Sequence, residues 1–156
     1  MRVLITGSPG CGKTSFLREL GLKVAEGSTR KITTVTLDNH NFVDTPGNRA
    51  HYGGVCDLYP SVDLVMFLYA ANDSASFEDA YARYLDMVGG FHATQAVFVA
   101  TKSDLVRRVP TCLVESLFCG PHYEVQKSTV RGVASGIISH YSTSPKRRSC
   151  ECECGL

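Results

Sequence analysis

The sequence has no surplus of charge, no long apolar run and no cysteine pattern that would staple it together. Sixteen Lys and Arg stand against 15 Asp and Glu, a formal net charge of +1. No general polyanion-binding face is implied, and nucleic acid is not an expected partner. The longest apolar stretch runs only from Leu64 to Ala71, whereas a membrane-crossing helix needs about 20 such residues. The opening Met1–Thr6 is too short for a secretory signal and runs straight into glycines. Of the seven cysteines, Cys11, Cys56, Cys112 and Cys119 are scattered, while Cys150, Cys152 and Cys154 crowd the C-terminus. That is no disulfide framework, and the expected location is a reducing cytoplasm. No internal repeat is visible.

What is present is globular. The 156 residues are 44% apolar, 20% charged and 9% aromatic, with 14 Gly and 6 Pro. Disorder and fibrous repeats do not fit this composition. A chain of this length makes one domain that hides roughly 70% of its unfolded surface.

Strand and helix patterns alternate along it. Val3-Leu4-Ile5 reads as a short apolar strand that meets Gly7–Gly12 at once. From Lys13 to about Lys23, Phe16, Leu17, Leu20 and Val24 recur at helical spacing. Residues 25–30 read as loop. Ile32–Leu37 and Phe42-Val43 flank the turn signal Asp38-Asn39-His40-Asn41, which predicts a hairpin. Asp63–Tyr69 and Gln95–Ala100 read as strands buried on both faces.

Between those two strands, Ser76–Met87 reads as a helix presenting Phe77, Ala80, Tyr81, Tyr84 and Leu85 on one side. Pro110 suits the first position of a helix through Leu113, Val114 and Leu117. His122–Val125 follows as a short strand. Val130–Tyr141 is a last helix with Val133, Ile137 and Ile138 inward. The pattern predicts an α/β fold, a mostly parallel sheet with one antiparallel edge and helices on both faces. Residues 1–141 form the domain, and 142–156 read as a flexible tail.

Gly7-Ser8-Pro9-Gly10-Cys11-Gly12-Lys13-Thr14 fits G-x-x-x-x-G-K-[ST] between a strand and a helix, the setting of a phosphate-binding loop. Glycines let the backbone around Pro9 bend until successive N–H groups from Gly10 onward converge on phosphate oxygens. Lys13 would neutralise the β- and γ-phosphates, Thr14 would ligate Mg²⁺, and the Ser15 N–H would reach the α-phosphate. This loop serves kinases, ATPases and GTPases alike. Pro9 also suits nucleotide kinases and small nucleoside triphosphatases.

Two later motifs narrow the choice. Asp44-Thr45-Pro46-Gly47 fits D-x-x-G at a strand end, where Asp44 can hold the Mg²⁺ shell and the Gly47 N–H can sense a γ-phosphate. Taken alone, it is equally an ordinary turn. Thr101-Lys102-Ser103-Asp104 fits [NT]-K-x-D after a buried strand. The Asp104 carboxylate can accept from N1–H and the exocyclic amine of guanine, whereas adenine would leave it unpaired. Lys102 can lay its stem along the base.

With Lys13, Asp44 and Thr101 in this order and at these separations, residues 2–141 resemble the Ras-like small GTPases. Leu68–Asp73 followed by Ser76-Phe77-Glu78-Asp79 looks like the Rab branch, and Glu124-Val125-Gln126-Lys127 is a degenerate match to the family's Ser-Ala-Lys loop. The resemblance implies a P-loop NTPase fold and a GTP/GDP switch that hydrolyses GTP with Mg²⁺. It places Gln126 and Lys127 near the base. Effector, exchange-factor and GTPase-activating partners follow from it, as does a role in membrane traffic.

The departures carry their own expectations. The family has a Gln where this chain has Asn48, which is one methylene short. Asn48 as the water-orienting residue, beside Lys13, therefore implies slow hydrolysis. The Lys13–Asp44 segment is about ten residues shorter than usual, so the switch Thr that joins Thr14 and Asp44 on the metal is open between two positions. Thr29 suits the Gly-Ser-Thr-Arg reading, and Thr33, the choice here, suits the distance from Lys13. No aromatic lies within residues 21–36 to cover the guanine. A GTP-binding scaffold with little hydrolysis is one alternative. A P-loop nucleotide kinase or triphosphatase is another, although no Arg-rich lid is visible.

Lys146-Arg147-Arg148 before Cys150, Cys152 and Cys154 is similar to prenylated Rab tails, which points to lipidation at Cys152 and Cys154 and to peripheral attachment to an intracellular membrane. Glu153 breaks the C-a-a-X pattern. Idle thiols or a Cys-x-Cys-x-Cys chelator are the other readings. His40, His51, His92, His122 and His140 share no metal-ligand spacing and read as surface or loop residues, and Cys11 reads as a small filler.

Overall fold

The computed structural model describes residues 1–24, 30–90, 94–118 and 120–143. Six strands form one sheet: β1 (Arg2–Thr6), β2 (Thr33–Leu37), β3 (His40–Asp44), β4 (Leu64–Ala70), β5 (Gln95–Thr101) and β6 (His122–Glu124). Their order across the sheet is β2-β3-β1-β4-β5-β6. Only the β2–β3 pair is antiparallel, and the other four pairings are parallel. The helices are α1 (Lys13–Glu19), α2 (Tyr52–Cys56), α3 (Ser74–Gly90), α4 (Thr111–Leu117) and α5 (Val130–Thr143).

Strand alternation divides the core into two layers. Leu64, Met66 and Leu68 of β4 join Phe16 and Leu17 of α1 and Ala134 and Ile137 of α5 on one face. Val65, Phe67 and Tyr69 meet Val55, Phe77, Ala80 and Val114 of α2, α3 and α4 on the other. Every residue of β4 is buried, as a continuous apolar strand between two helical layers must be. The α/β sheet with one antiparallel edge is thus observed as the alternation predicts.

The boundaries differ in instructive ways. α1 stops at Glu19 rather than near Lys23. Gly21 takes φ 90 and donates to the Arg18 carbonyl at 2.8 Å, while the Leu22 N–H reaches back to Leu17 at 3.1 Å. This paired closure, with Leu17 and Leu22 buried together, ends the helix. The hairpin turn is only Asp38-Asn39, at φ 45 and 65, so His40 and Asn41 already belong to β3.

Other differences lie on the helices. Pro110 is the residue before α4, not its first. Leu85 is 50% exposed, and the inward face of α3 carries Arg83 and Met87 instead. On α5, Val130, Ala134 and Ile137 are buried and Val133 and Ile138 only partly. His122 is not a loop residue but a half-buried member of β6, with Nε2 2.9 Å from the Tyr69 hydroxyl. α2 and the flanking 3-10 turns Arg49–His51 and Tyr59–Ser61 carry no periodic signal. Gly53 and Gly54 sit in the middle of α2. Among the described residues no helix is long and apolar enough to cross a membrane.

Candidate functional site

Because β1, β3, β4, β5 and β6 are mutually parallel, their C-terminal ends share one edge of the sheet. The chain leaves central β1, crosses to β3 on one side and then to β4 on the other, so the strand order reverses beside β1. Open α/β sheets bind ligands at such a reversal. All three motifs emerge there.

The loop Gly7–Gly12 leaves β1 at Thr6. Gly12 takes φ 97 at the entry to α1, and Gly10 takes φ 75. These left-handed conformations suit glycine because no Cβ opposes them. Lys13 is buried, and its Nζ donates to the Gly7 and Ser8 carbonyls at 2.8 Å each. Two of three ammonium protons thus fix the head inside the loop's concavity. Cys11 packs beneath at 1% exposure, and burial pushes its thiol pKa up. Cys11 is a filler and not an activated nucleophile. Pro9, Gly10 and Ser15 are exposed on the rim, and Thr14 is half-buried.

The second motif lies against this loop. Asp44, 2% exposed, ends β3 and pairs in register with Ile5 of β1. The Thr45 hydroxyl donates to the Ile5 carbonyl at 2.8 Å and holds the exit from β3 against β1. Gly47 then touches the Gly7–Gly12 loop. A Cβ there would stand 2.5 Å from Pro9 N and 2.8 Å from Ser8 C. Thr33 is the first residue of β2, directly across from Asp44 and on the same sheet face. Thr29 lies outside the described residues, as do Cys152 and Cys154. Asn48 is exposed, and its Oδ1 accepts from Ala50 N at 3.0 Å, capping the 3-10 turn.

The third motif is tied to the first. Thr101 Oγ1 lies 2.6 Å from the Cys11 carbonyl and 3.1 Å from that of Tyr69. Lys102, at φ 56, reaches across with its Nζ to the Gly10 carbonyl at 3.0 Å. The Ser103 N–H donates to Val125 at 3.2 Å, bringing in the segment after β6. Beyond it an open cleft of about 420 Å³ is lined by Glu19, Asp104, Gln126, Lys127 and Ser128. Asp104 and the Gln126-Lys127 pair, some 22 residues apart in sequence, therefore line one cleft at the end of α1.

No motif signals Arg83, and Thr45 fills only a variable position of D-x-x-G. The Arg83 guanidinium is 1% exposed and bonds Asp79 Oδ2 at 2.7 Å, Thr6 Oγ1 at 3.2 Å and the Gly47 carbonyl at 2.8 Å. A lone buried cation costs several kcal/mol, which Asp79 offsets. The Asp79–Arg83 spacing of i,i+4 on the inward face of a helix was the available clue.

Among the described residues no group of three or more His, Cys, Asp or Glu is gathered for a metal. The oxygens of Thr14, Asp44 and Thr33 are hard donors of the kind Mg²⁺ prefers, and Asp44 and Thr33 stand side by side. No protein-family model matches the chain, and no curated protein is significantly similar to it.

Proposed function

We propose that the chain is a guanine-nucleotide-binding switch of the P-loop class, with a Ras-like arrangement of its motifs. The observation that carries this reading is the pair of bonds from Thr101 and Lys102 to the carbonyls of Cys11 and Gly10. They seat the Thr101–Asp104 loop beside the phosphate loop, so that a base held by Asp104 and phosphates held by Gly7–Thr14 belong to one ligand. Lys13 would balance phosphate charge, and the backbone N–H groups of Gly10–Ser15 would supply donors. Mg²⁺, held by Thr14, Asp44 and Thr33, would neutralise phosphate charge when bound.

Gly47, resting on Pro9, would respond to a terminal phosphate and let partner proteins read the state. Hydrolysis is slow on this reading. Asn48 is short for a water-orienting residue, and its carbonyl oxygen is engaged in capping. That second feature also favours a reading as a binding scaffold that turns over little GTP. Lipidation at Cys152 and Cys154, with peripheral membrane attachment, remains a proposal from the tail sequence alone.

The test compares GTP, GDP, ATP and xanthosine nucleotides on wild type and Asp104→Asn. The wild type is expected to prefer guanine over adenine by about a hundredfold or more, since two hydrogen bonds to a charged carboxylate are worth about 1.5–3 kcal/mol each. Asp104→Asn is expected to shift preference toward xanthine, whose C2 carbonyl accepts from an amide. ATP preference in the wild type would refute the reading.

A further inference from the structure

Arg83 belongs to no motif, yet it joins the two phosphate-side motifs. Thr6, one of its acceptors, is the last residue before the phosphate loop. Gly47, another, closes D-x-x-G and rests on Pro9. Its Cζ also stands 4.6 Å from the centroid of the Tyr52 ring, in the helix that follows. The other oxygen of Asp79 accepts from Arg49 at 2.8 Å. The stretch after Gly47 is thus held to α3 twice, once by its backbone and once by an exposed side chain.

We infer that Arg83 is a positioning residue that holds the Gly47–Asn48 peptide in the orientation from which this segment can answer a terminal phosphate. The inference rests on the nucleotide-switch reading above. The Gly47 carbonyl and the Asn48 N–H share one peptide plane and point opposite ways. Binding the carbonyl to α3 therefore turns the Asn48 N–H away from α3 and fixes Gly47, whose own N–H lies in the preceding peptide, where it meets the phosphate loop.

A guanidinium suits the task. It is always charged, and its donors form a rigid fork, so Asp79, Thr6 and Gly47 are met at once. A lysine ammonium is a single point and cannot span all three. Arg49, at 62% exposure, contributes little by comparison.

The test titrates GDP and a non-hydrolysable GTP analogue, both with Mg²⁺, against the full chain as wild type, Arg83→Lys, Arg83→Gln and Arg49→Ala. Thermal unfolding of each variant is followed in parallel. In Arg83→Gln the analogue is expected to lose about tenfold or more in affinity while GDP changes little, as loss of a charged hydrogen bond on the terminal-phosphate side predicts. Arg83→Lys should fall between, and Arg49→Ala should leave the ratio unchanged.

Equal losses for both nucleotides, or an unchanged ratio in the Arg83 variants, overturn the positioning role alone. So does loss of a cooperative transition in both Arg83 variants, which makes the residue a pillar of the fold. A wild type that binds neither nucleotide overturns the switch reading and this inference with it.

Discussion

A methyl group at position 47 has nowhere to go, because its nearest neighbours would be backbone atoms of Ser8 and Pro9 at 2.5–2.8 Å. Backbone of a fixed loop cannot swing aside as a side chain can. Gly47→Ala is therefore expected to cost about 1–3 kcal/mol as overpacking, read as a lower urea midpoint, and to push the 46–48 segment off the Gly7–Gly12 loop. Gly53 makes the control. It lies in α2 with open space around it, so Gly53→Ala should be neutral or add about 0.4–1 kcal/mol. Equal midpoints for the two variants would show that Gly47 and Pro9 do not touch. At this scale the sequence singles out residues at fixed motif positions, such as Lys13, Gly47 and Asp104, whose proposed roles a ligand would dictate. Arg83 and Thr45 were illegible because they serve other residues, and a buried arginine looks in sequence like any surface one.

At the level of single elements, β6 shows how a three-residue strand can carry a titration. His122 is half-buried, stacks at 6.0 Å on Tyr69 and bonds its hydroxyl. Burial holds its pKa below the ordinary 6.5, with Glu124 and Glu115 opposing and Arg107 assisting. The unfolded chain thus binds a proton at His122 more readily than the folded one does. Its contribution to stability is present above about pH 6.5 and is lost as pH falls below that value. The urea midpoint should drop across that window in wild type. It should drop less in His122→Gln, which keeps a polar partner for Tyr69 without the titration. Identical slopes would show that the imidazole is not protected.

Elements were legible where periodicity was long or turn chemistry strict, as in β4, α3 and the Asp38-Asn39 hairpin. They were missed where tertiary contacts overrode local signal. α2 contains two adjacent glycines and is held by Val55 in the core rather than by propensity. The end of α1 was readable in principle from Gly21, whose turn closes the helix before its apolar spacing runs out.

For the molecule as a whole, a ligand that binds only the folded chain must stabilise it. At a hundredfold excess over its dissociation constant, GDP with Mg²⁺ is expected to add about 2.7 kcal/mol, a rise of roughly 5–10 °C in Tm. ADP at the same concentration should move it little. A shift of the same size with ADP would remove guanine selectivity from the account. The sheet order was legible as a class, because buried strands alternating with helices allow few topologies. The joining of the motif loops was not, since the bonds from Thr101 and Lys102 to the Gly7–Gly12 loop span about 90 residues and leave no trace in local pattern.

Those two bonds carry a consequence for how the chain can change over time. A substitution that retunes one loop drags on the other, so on the proposed nucleotide reading grip on the base and grip on the phosphates could not drift apart through independent steps. Descendants of this sequence would have to alter both loops in concert, and lineages that loosened one alone would forfeit the whole ligand.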